Sequence, residues 1–176
     1  SKWLEARIQN LMATSLYKSG GLQIYCLNAS SPDPNDNEIL TKYAKHKNFI
    51  HDNSDFCSVY AAWNIIIRNT STKYLMATNA DDLCSPDSFD IMIKAIEHNK
   101  APMAYSSWYT IGENIKRWHE ISGNWDRISA YNPDVDRVSC GHFCVYKREL
   151  FDRVGLFDPQ FKALGDCDFW ARCWIN

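Results

Sequence analysis

Apolar positions in the first part of the chain alternate between helical and extended spacing. Leu4, Ile8, Leu11 and Met12 fall on one face of a helix, which Gly20-Gly21 ends. Short apolar runs predict strands at 22–27, 48–51 and 73–78, and helices are predicted at 36–45, at 57–68 and after Ser85-Pro86. This alternation indicates an α/β domain with a parallel sheet and helices on its faces.

Beyond Pro102 the pattern becomes less regular. Strand pieces are predicted at 103–110, 115–120 and 142–146, a loop at 124–137, and helices at 148–154 and 164–174. This part predicts a small antiparallel addition to the sheet. No linker or repeat interrupts the chain, so we expect a single domain over residues 1–176.

Two helices are predicted together with their caps. Asp55 is the expected cap of helix 57–68, and Ser85 followed by Pro86 is the expected start of the next helix. The buried face of helix 57–68 is predicted from its apolar residues: Val59, Ala62, Trp63, Ile66 and Ile67.

The order of the elements predicts that one strand is missing. A nucleotide-binding α/β domain normally opens with a strand, whereas this chain opens directly with an amphipathic helix and shows no signal peptide. We therefore expect a trimmed domain that lacks its first strand.

Composition and charge narrow the classes of function. The net charge of −2 lacks the basic excess of a nucleic-acid binder. Apolar runs such as 65–67 are far shorter than the ~20 residues that span a bilayer. The aromatic content of 14% suits a protein that stacks flat ligands, although large cores use the same residues.

The cysteines indicate a reducing compartment. There are seven, an odd number, and no CxxC pair occurs. We therefore expect free thiols and a cytoplasmic location, with attachment to the cytoplasmic face of a membrane left open. Cys140, His142 and Cys144 imitate half of a zinc site, but the second pair is missing and no zinc is expected.

The acidic pair Asp81-Asp82 is the strongest candidate site. It follows the predicted strand 73–78, and ligands of open α/β sheets bind beyond the carboxyl ends of strands. Adjacent carboxylates repel each other unless a cation intervenes, and a divalent ion bound to a substrate phosphate would remove that repulsion. The alternative is that one of the two only caps the following turn.

Asp166 and Asp168 form a second candidate site at the start of helix 164–174. One of them is the expected general base, and the alternative is that acidic residues there stabilise the helix dipole. Ser30, in a polar turn after the first predicted strand, either lines a nucleotide pocket or belongs to a surface turn.

Three motifs, in this order, resemble the family 2 glycosyltransferases, which have the GT-A fold. Segment 73–82 resembles the strand that ends in the family's DxD element, and segment 146–158 resembles the part before the catalytic loop. Segment 165–172 resembles the ED motif with its helix, and Trp63-Asn64 resembles the helix before the DxD strand. The resemblance implies a Rossmann-like, mostly parallel sheet flanked by helices.

The chain also departs from the family pattern. Asn28-Ala29 stand where the family often has two Asp, and Asn79 replaces the first acid of a fuller Asp-x-Asp-Asp. Gly165 replaces the usual Glu before Asp166.

The resemblance implies an inverting transfer of a sugar from a nucleotide-diphosphate donor to an acceptor hydroxyl. Asp166 would be the base, and Asp82 would hold Mn²⁺ or Mg²⁺. Asp81 would contact the donor ribose or a metal-bound water. The other expected donor-binding residues are Asn28, Ser30 and Asn79.

The acceptor is expected to be a glycan, a lipid-linked sugar or a protein, as in polysaccharide biosynthesis. Its candidate platform consists of Trp108, Trp118, Trp125 and His142, with Asp168 as a further candidate. Core packing is the alternative role for the tryptophans.

Two other functions remain open. The absent strand favours a non-catalytic nucleotide-sugar or glycan-binding module, or an inactive fragment of a larger synthase. A nucleotidyltransferase also uses acids at strand ends with a metal, but the chain has no glycine-rich phosphate loop with a lysine.

Overall fold

The computed structural model describes residues 3–106 and 143–175. The tryptophans at 108, 118 and 125, His142, the strand piece predicted at 115–120 and the loop predicted at 124–137 lie outside these residues. The strand pieces predicted at 103–110 and 142–146 are observed at Met103–Tyr105 and Cys144–Lys147. The described elements, in chain order, are α1 Leu4–Met12, α2 Ser15–Lys18, β1 Ile24–Asn28, α3 Pro34–Tyr43, β2 Phe49–Asn53, α4 Val59–Arg68, β3 Tyr74–Leu75, α5 Ser88–Asn99, β4 Met103–Tyr105, β5 Cys144–Lys147, α6 Arg148–Val154 and α7 Gly165–Ile175.

The described strands form two sheets. β1 pairs with β2 in parallel, while β5 lies between β3 and β4 and is antiparallel to both. Because β5 opposes both neighbours, β3 and β4 run in the same direction. The predicted mixed α/β class with a small antiparallel part is confirmed. The difference is that no ladder joins β1 to β3 within the described residues, so the parallel part contains one pair of strands.

Helices cover both faces of the sheets, as predicted. Successive residues of a strand point to opposite faces. Accordingly, Phe143 and Val145 belong to one apolar cluster, and Cys144 and Tyr146 belong to the other. Helices α1, α3 and α5 contribute to the first cluster, and α4, α6 and α7 contribute to the second.

A cavity of about 420 Å³ lies between β1 and β3. Residues 22–25 line it on the β1 side and residues 72–78 on the β3 side, and we call it the inter-sheet cavity.

Two helix starts differ from the prediction. Ser58, not Asp55, caps α4, because the Ser58 side chain accepts the backbone N–H of Ala61 at 3.3 Å. Helix α5 begins at Ser88, not next to Ser85. Ser85 belongs instead to the preceding turn, where its carbonyl accepts the Ser88 hydroxyl at 2.8 Å.

The buried face of α4 is also rotated from the predicted one. Tyr60, Asn64 and Ile67 are buried, whereas Val59 is 42% exposed. The predicted face did not include Asn64, because it was drawn from apolar residues alone. The Asn64 amide forms two hydrogen bonds with the Phe157 backbone, a contact that we call the clamp: Nδ2 donates to the carbonyl at 2.7 Å, and Oδ1 accepts the N–H at 3.1 Å. These two bonds compensate the burial of the amide and orient the helix.

None of the helices in residues 3–106 and 143–175 combines the length and the apolar character that crossing a bilayer requires.

We predict that Asn64→Ala destabilises the domain by about 3 kcal/mol, because the Phe157 N–H and carbonyl are left buried without partners. Equilibrium unfolding in urea measures the change. The control is Asn99→Ala on exposed α5 surface, where Asn99 Nδ2 donates to a carbonyl of its own helix and a change within about 0.5 kcal/mol is expected. Equal losses in both variants would contradict the role of the clamp.

Candidate functional site

Helix α1 holds the segment that follows β3 and leads to Asp81 and Asp82. We call residues 79–84, which include this pair, the acidic turn. The predicted strand 73–78 forms a ladder only at Tyr74–Leu75, and the chain continues through 76–79 without one. Arg7 is 3% exposed, and its Nη2 donates to Thr78 Oγ1 at 2.7 Å. Asn10 binds the far end of the turn at Cys84, donating to the carbonyl at 2.9 Å and accepting the N–H at 3.0 Å. The acidic turn is therefore held at both ends by one helix.

Asp166 lies in the first turn of α7. Its Oδ1 accepts the N–H of Cys167 at 3.0 Å and a long hydrogen bond from the Tyr60 hydroxyl at 3.4 Å. Burial raises the pKa of Tyr60, and the negative charge of Asp166 raises it further, so this hydroxyl keeps its proton. Within the described residues, Asp166 Oδ2 accepts no hydrogen bond, and this oxygen is available to a ligand.

Position 165 holds Gly where the family usually has Glu, and a residue of α4 gives the steric reason. A Cβ at this position would lie 2.7 Å from Cε2 of the buried Tyr60 ring. The ring occupies the space that a larger side chain would need. Tyr60 and Gly165 thus belong together, a pairing that sequence reasoning missed because the two residues are far apart in the chain.

A small cavity brings Asn79 and Asp166 together. Its volume is about 40 Å³, which admits a water molecule or a hydroxyl group, and we call it the Asp166 cavity. Sequence reasoning did not identify its aromatic walls, where Trp170 Nε1 donates to the Tyr146 hydroxyl at 3.0 Å. The lining residues are Trp63, Ala77, Thr78, Asn79, Cys144, Tyr146, Asp166 and Trp170.

The acidic pair lies outside the walls of this cavity, and its two members differ in burial. Asp81 is exposed, while Asp82 is half-buried and its Oδ2 is buried without a hydrogen-bond partner among the described residues. Such an orphaned carboxylate oxygen fits a hard cation. Across residues 3–106 and 143–175, no three potential ligands from His, Cys, Asp and Glu lie together. The arrangement resembles Mg²⁺ sites in which one carboxylate and substrate phosphates supply the ligands.

The predicted donor-binding residues at the end of β1 bind their own turn. Asn28 is buried, donates to Asn37 Oδ1 at 2.7 Å and accepts the N–H of Ser31 at 2.8 Å. Ser30 has a positive φ of 59°, and its hydroxyl donates to the Ser54 carbonyl at 3.1 Å. These bonds shape the turn, and a role in binding the donor stays a prediction.

The Asp168 side chain forms an ion pair with Arg172. Arg172 Nε donates to Asp168 Oδ2 at 2.9 Å. The same guanidinium donates to the carbonyls of Val154 at 2.5 Å and Leu156 at 2.8 Å. Asp168 therefore orients Arg172, which holds the loop before α7. The acceptor candidates Trp108, Trp118, Trp125 and His142 lie outside the described residues.

The α/β architecture of the described residues matches the GT-A fold of solved structures. A family model described as glycosyl transferase family 2 matches residues 1–155. The chain belongs to this family. No curated protein sequence matches it.

Solved structures of other proteins share this fold. Residues 1–349 of S. aureus TarS superpose with a TM-score of 0.76 at 12% identity, covering 99% of this chain and 52% of TarS. The same values of TM-score and identity apply to its complex with UDP-GlcNAc. The mannosyltransferase PcManGT from Pyrobaculum calidifontis, in complex with GDP-Man and Mn²⁺, gives 0.68 at 17% identity, covering 96% of this chain and 47% of that one. The chain thus spans about half the length of these structures.

We predict that Gly165→Ala destabilises the domain by about 1–3 kcal/mol, because the new methyl group overlaps the Tyr60 ring. The sign is informative, since Gly→Ala within a helix otherwise stabilises by up to about 1 kcal/mol. A double-mutant cycle with Tyr60→Leu, followed by urea unfolding, measures the coupling. The loss should shrink by at least about 1 kcal/mol when the ring is absent. An unchanged loss would contradict the contact.

Proposed function

We propose that this domain catalyses an inverting transfer of a sugar from a nucleoside-diphosphate donor to an acceptor hydroxyl. The observation that carries the proposal is the Asp166 cavity, where a carboxylate with an available oxygen faces the residues that follow β3. Membership of glycosyl transferase family 2 supports the reaction class. The neighbours in complex with UDP-GlcNAc and GDP-Man support a nucleotide-sugar donor.

In this mechanism Asp166 is the general base. It takes the proton of the acceptor hydroxyl as the oxygen forms a bond to the anomeric carbon from the face opposite the diphosphate. The bond between that carbon and the diphosphate oxygen breaks, its electron pair leaves with the phosphate, and the configuration inverts. Tyr60 keeps the Asp166 carboxylate in place by donating to Oδ1, so that Oδ2 receives the proton. A positioned base contributes about 10²–10⁴-fold to the rate.

Asp82 is the proposed ligand for Mn²⁺ or Mg²⁺, since its Oδ2 is buried without a partner among the described residues. When bound, such a cation offsets the charge of the departing diphosphate. Asp81, next to it and exposed, is proposed to contact the donor ribose or a water bound to the cation. The remaining proposed donor-binding residues are Asn28, Ser30 and Asn79.

The acceptor side and the location of the protein stay predictions. The proposed acceptor platform, for a glycan, a lipid-linked sugar or a protein in polysaccharide biosynthesis, remains Trp108, Trp118, Trp125 and His142. A reducing, cytoplasmic compartment is supported by the described cysteines, which are all free thiols. Burial raises the pKa of one of them, Cys26, to about 12, so it stays protonated and unreactive near neutral pH.

We predict that Asp166→Asn lowers transfer from UDP-GlcNAc or GDP-Man at least about 100-fold while donor affinity changes less than about threefold, because a base acts mainly in the transition state. Radiolabelled transfer and calorimetric titration measure the two quantities. The matched control is Asp152→Asn, an exposed carboxylate on α6. Loss of donor binding in Asp166→Asn would contradict the role of base. Donor binding by the unaltered domain without transfer or hydrolysis would replace the proposed enzyme with a non-catalytic binding module.

Donor binding should also depend on a divalent cation. Titration of UDP and GDP should give at least about tenfold weaker affinity in EDTA than in Mn²⁺, because the diphosphate and the acidic turn otherwise repel each other. Asp82→Asn should bind UDP and GDP with the same affinity in Mn²⁺ as in EDTA. Asp152→Asn should still bind them more tightly in Mn²⁺. Equal affinities with and without Mn²⁺ in the unaltered domain would remove Asp82 from the metal role.

A further inference from the structure

We propose that the Asp166 cavity selects a primary hydroxyl, so that the acceptor presents a CH₂–OH group to Asp166. This selection rests on the proposed transfer reaction, in which the acceptor oxygen gives its proton to Asp166 and bonds to the anomeric carbon as the diphosphate leaves. The evidence is the form of the cavity, which has a polar open end, a closed aromatic end and room for few atoms.

The open end of the Asp166 cavity is polar. Asn79 is exposed and Asp166 is half-buried, so these two lining residues lie where the cavity meets solvent. Asp166 Oδ1 is bonded to the Tyr60 hydroxyl and the Cys167 N–H, whereas Oδ2 accepts no hydrogen bond among the described residues. A hydroxyl that enters the cavity therefore meets an acceptor for its proton.

The closed end is buried and largely aromatic. Its walls are Cys144, Tyr146 and Trp170. Trp170 Nε1 donates to the Tyr146 hydroxyl at 3.0 Å, which fixes the two side chains against each other. The Tyr146 ring also makes edge contacts with the rings of Phe151 and Phe169, whose centroids each lie 5.5 Å away. Because interlocked core side chains are close-packed and hardly compressible, these walls do not separate to admit a wider group.

The size of the cavity then decides which kind of hydroxyl fits. Its volume of about 40 Å³ compares with about 30 Å³ for one water molecule in the liquid. A primary hydroxyl ends an unbranched CH₂ arm, so only the oxygen and part of one carbon need to enter. The carbon of a secondary hydroxyl bears two further carbons, and one extra methylene in a fitted pocket changes discrimination by about 10–200-fold. The acceptor group is therefore CH₂–OH.

The first test measures binding and needs no transfer. The complete 176-residue chain, isotope-labelled at its indole nitrogens, is titrated with n-propanol and separately with isopropanol, two alcohols of the same composition. The NMR signal of the Trp170 indole N–H should shift saturably with n-propanol, at a concentration at least about tenfold below that required for isopropanol. The indole of Trp174, 65% exposed on the same helix, is the internal reference. Equal responses to both alcohols, or none to either, would overturn the inference.

Two Trp→Phe variants on α7 form a matched pair, and in both the indole signal of Trp63, another wall of the cavity, is followed. Trp170→Phe should reduce the preference for n-propanol at least about threefold, because the smaller ring widens the closed end. Trp174→Phe, on exposed surface, should keep the preference. The same preference in both variants would overturn the assignment of the walls. Should Trp170→Phe fail to fold, the two alcohols with the unaltered chain still decide the question.

A competition in transfer distinguishes this selection from the reaction on which it rests. Equal amounts of n-propanol and isopropanol are offered together with Mn²⁺ and UDP-GlcNAc or GDP-Man, and the two propyl glycosides are quantified by liquid chromatography. The n-propyl glycoside should exceed the isopropyl glycoside at least about tenfold. Similar amounts of both would overturn the selection and leave the transfer reaction standing. Preferential binding of n-propanol without transfer to either alcohol or to water would support the selection and contradict the transfer reaction.

Discussion

The pair of hydrogen bonds between the Asn64 amide and the Phe157 backbone is the contact on which the position of α4 and of Asp166 depends. It joins α4 to the chain that leads into α7, and the Phe157 ring beside it lies 4.6 Å from that of Phe169 in α7. Tyr60, one turn earlier on α4, reaches Asp166. Since amide hydrogen bonds fix both distance and direction, a shift of α4 would displace the candidate base as well.

The two halves of the candidate site are therefore held by different helices. Helix α1 supports the acidic turn through Arg7 and Asn10, and α4 supports Asp166 through Tyr60 and Asn64. Each support is a polar side chain within an otherwise apolar helix face. Polar contacts of this kind specify orientation more sharply than apolar packing, which tolerates sliding.

Periodicity and capping rules predicted the α/β class and most of the elements, because local spacing determines which face of a helix or strand is apolar. They failed where a polar residue is buried by a distant partner. Asn64, bonded to Phe157, rotated the buried face of α4. The cap differs for a local reason: the helix begins at Val59, so Ser58 and not Asp55 lies at its start. The acidic turn and Asp166 were recognisable as motifs, whereas Tyr60 and the aromatic walls of the Asp166 cavity depend on contacts across the fold that spacing does not encode.

The position of Trp63 couples two cavities. Together with Ala77, Thr78 and Tyr146 it lines both the inter-sheet cavity and the Asp166 cavity. A group that occupies either cavity therefore acts on walls belonging to the other. By thermodynamic linkage, a group in the inter-sheet cavity that changes the affinity for a ligand in the Asp166 cavity has its own affinity changed by the same factor. Occupancy of one cavity therefore reports on occupancy of the other.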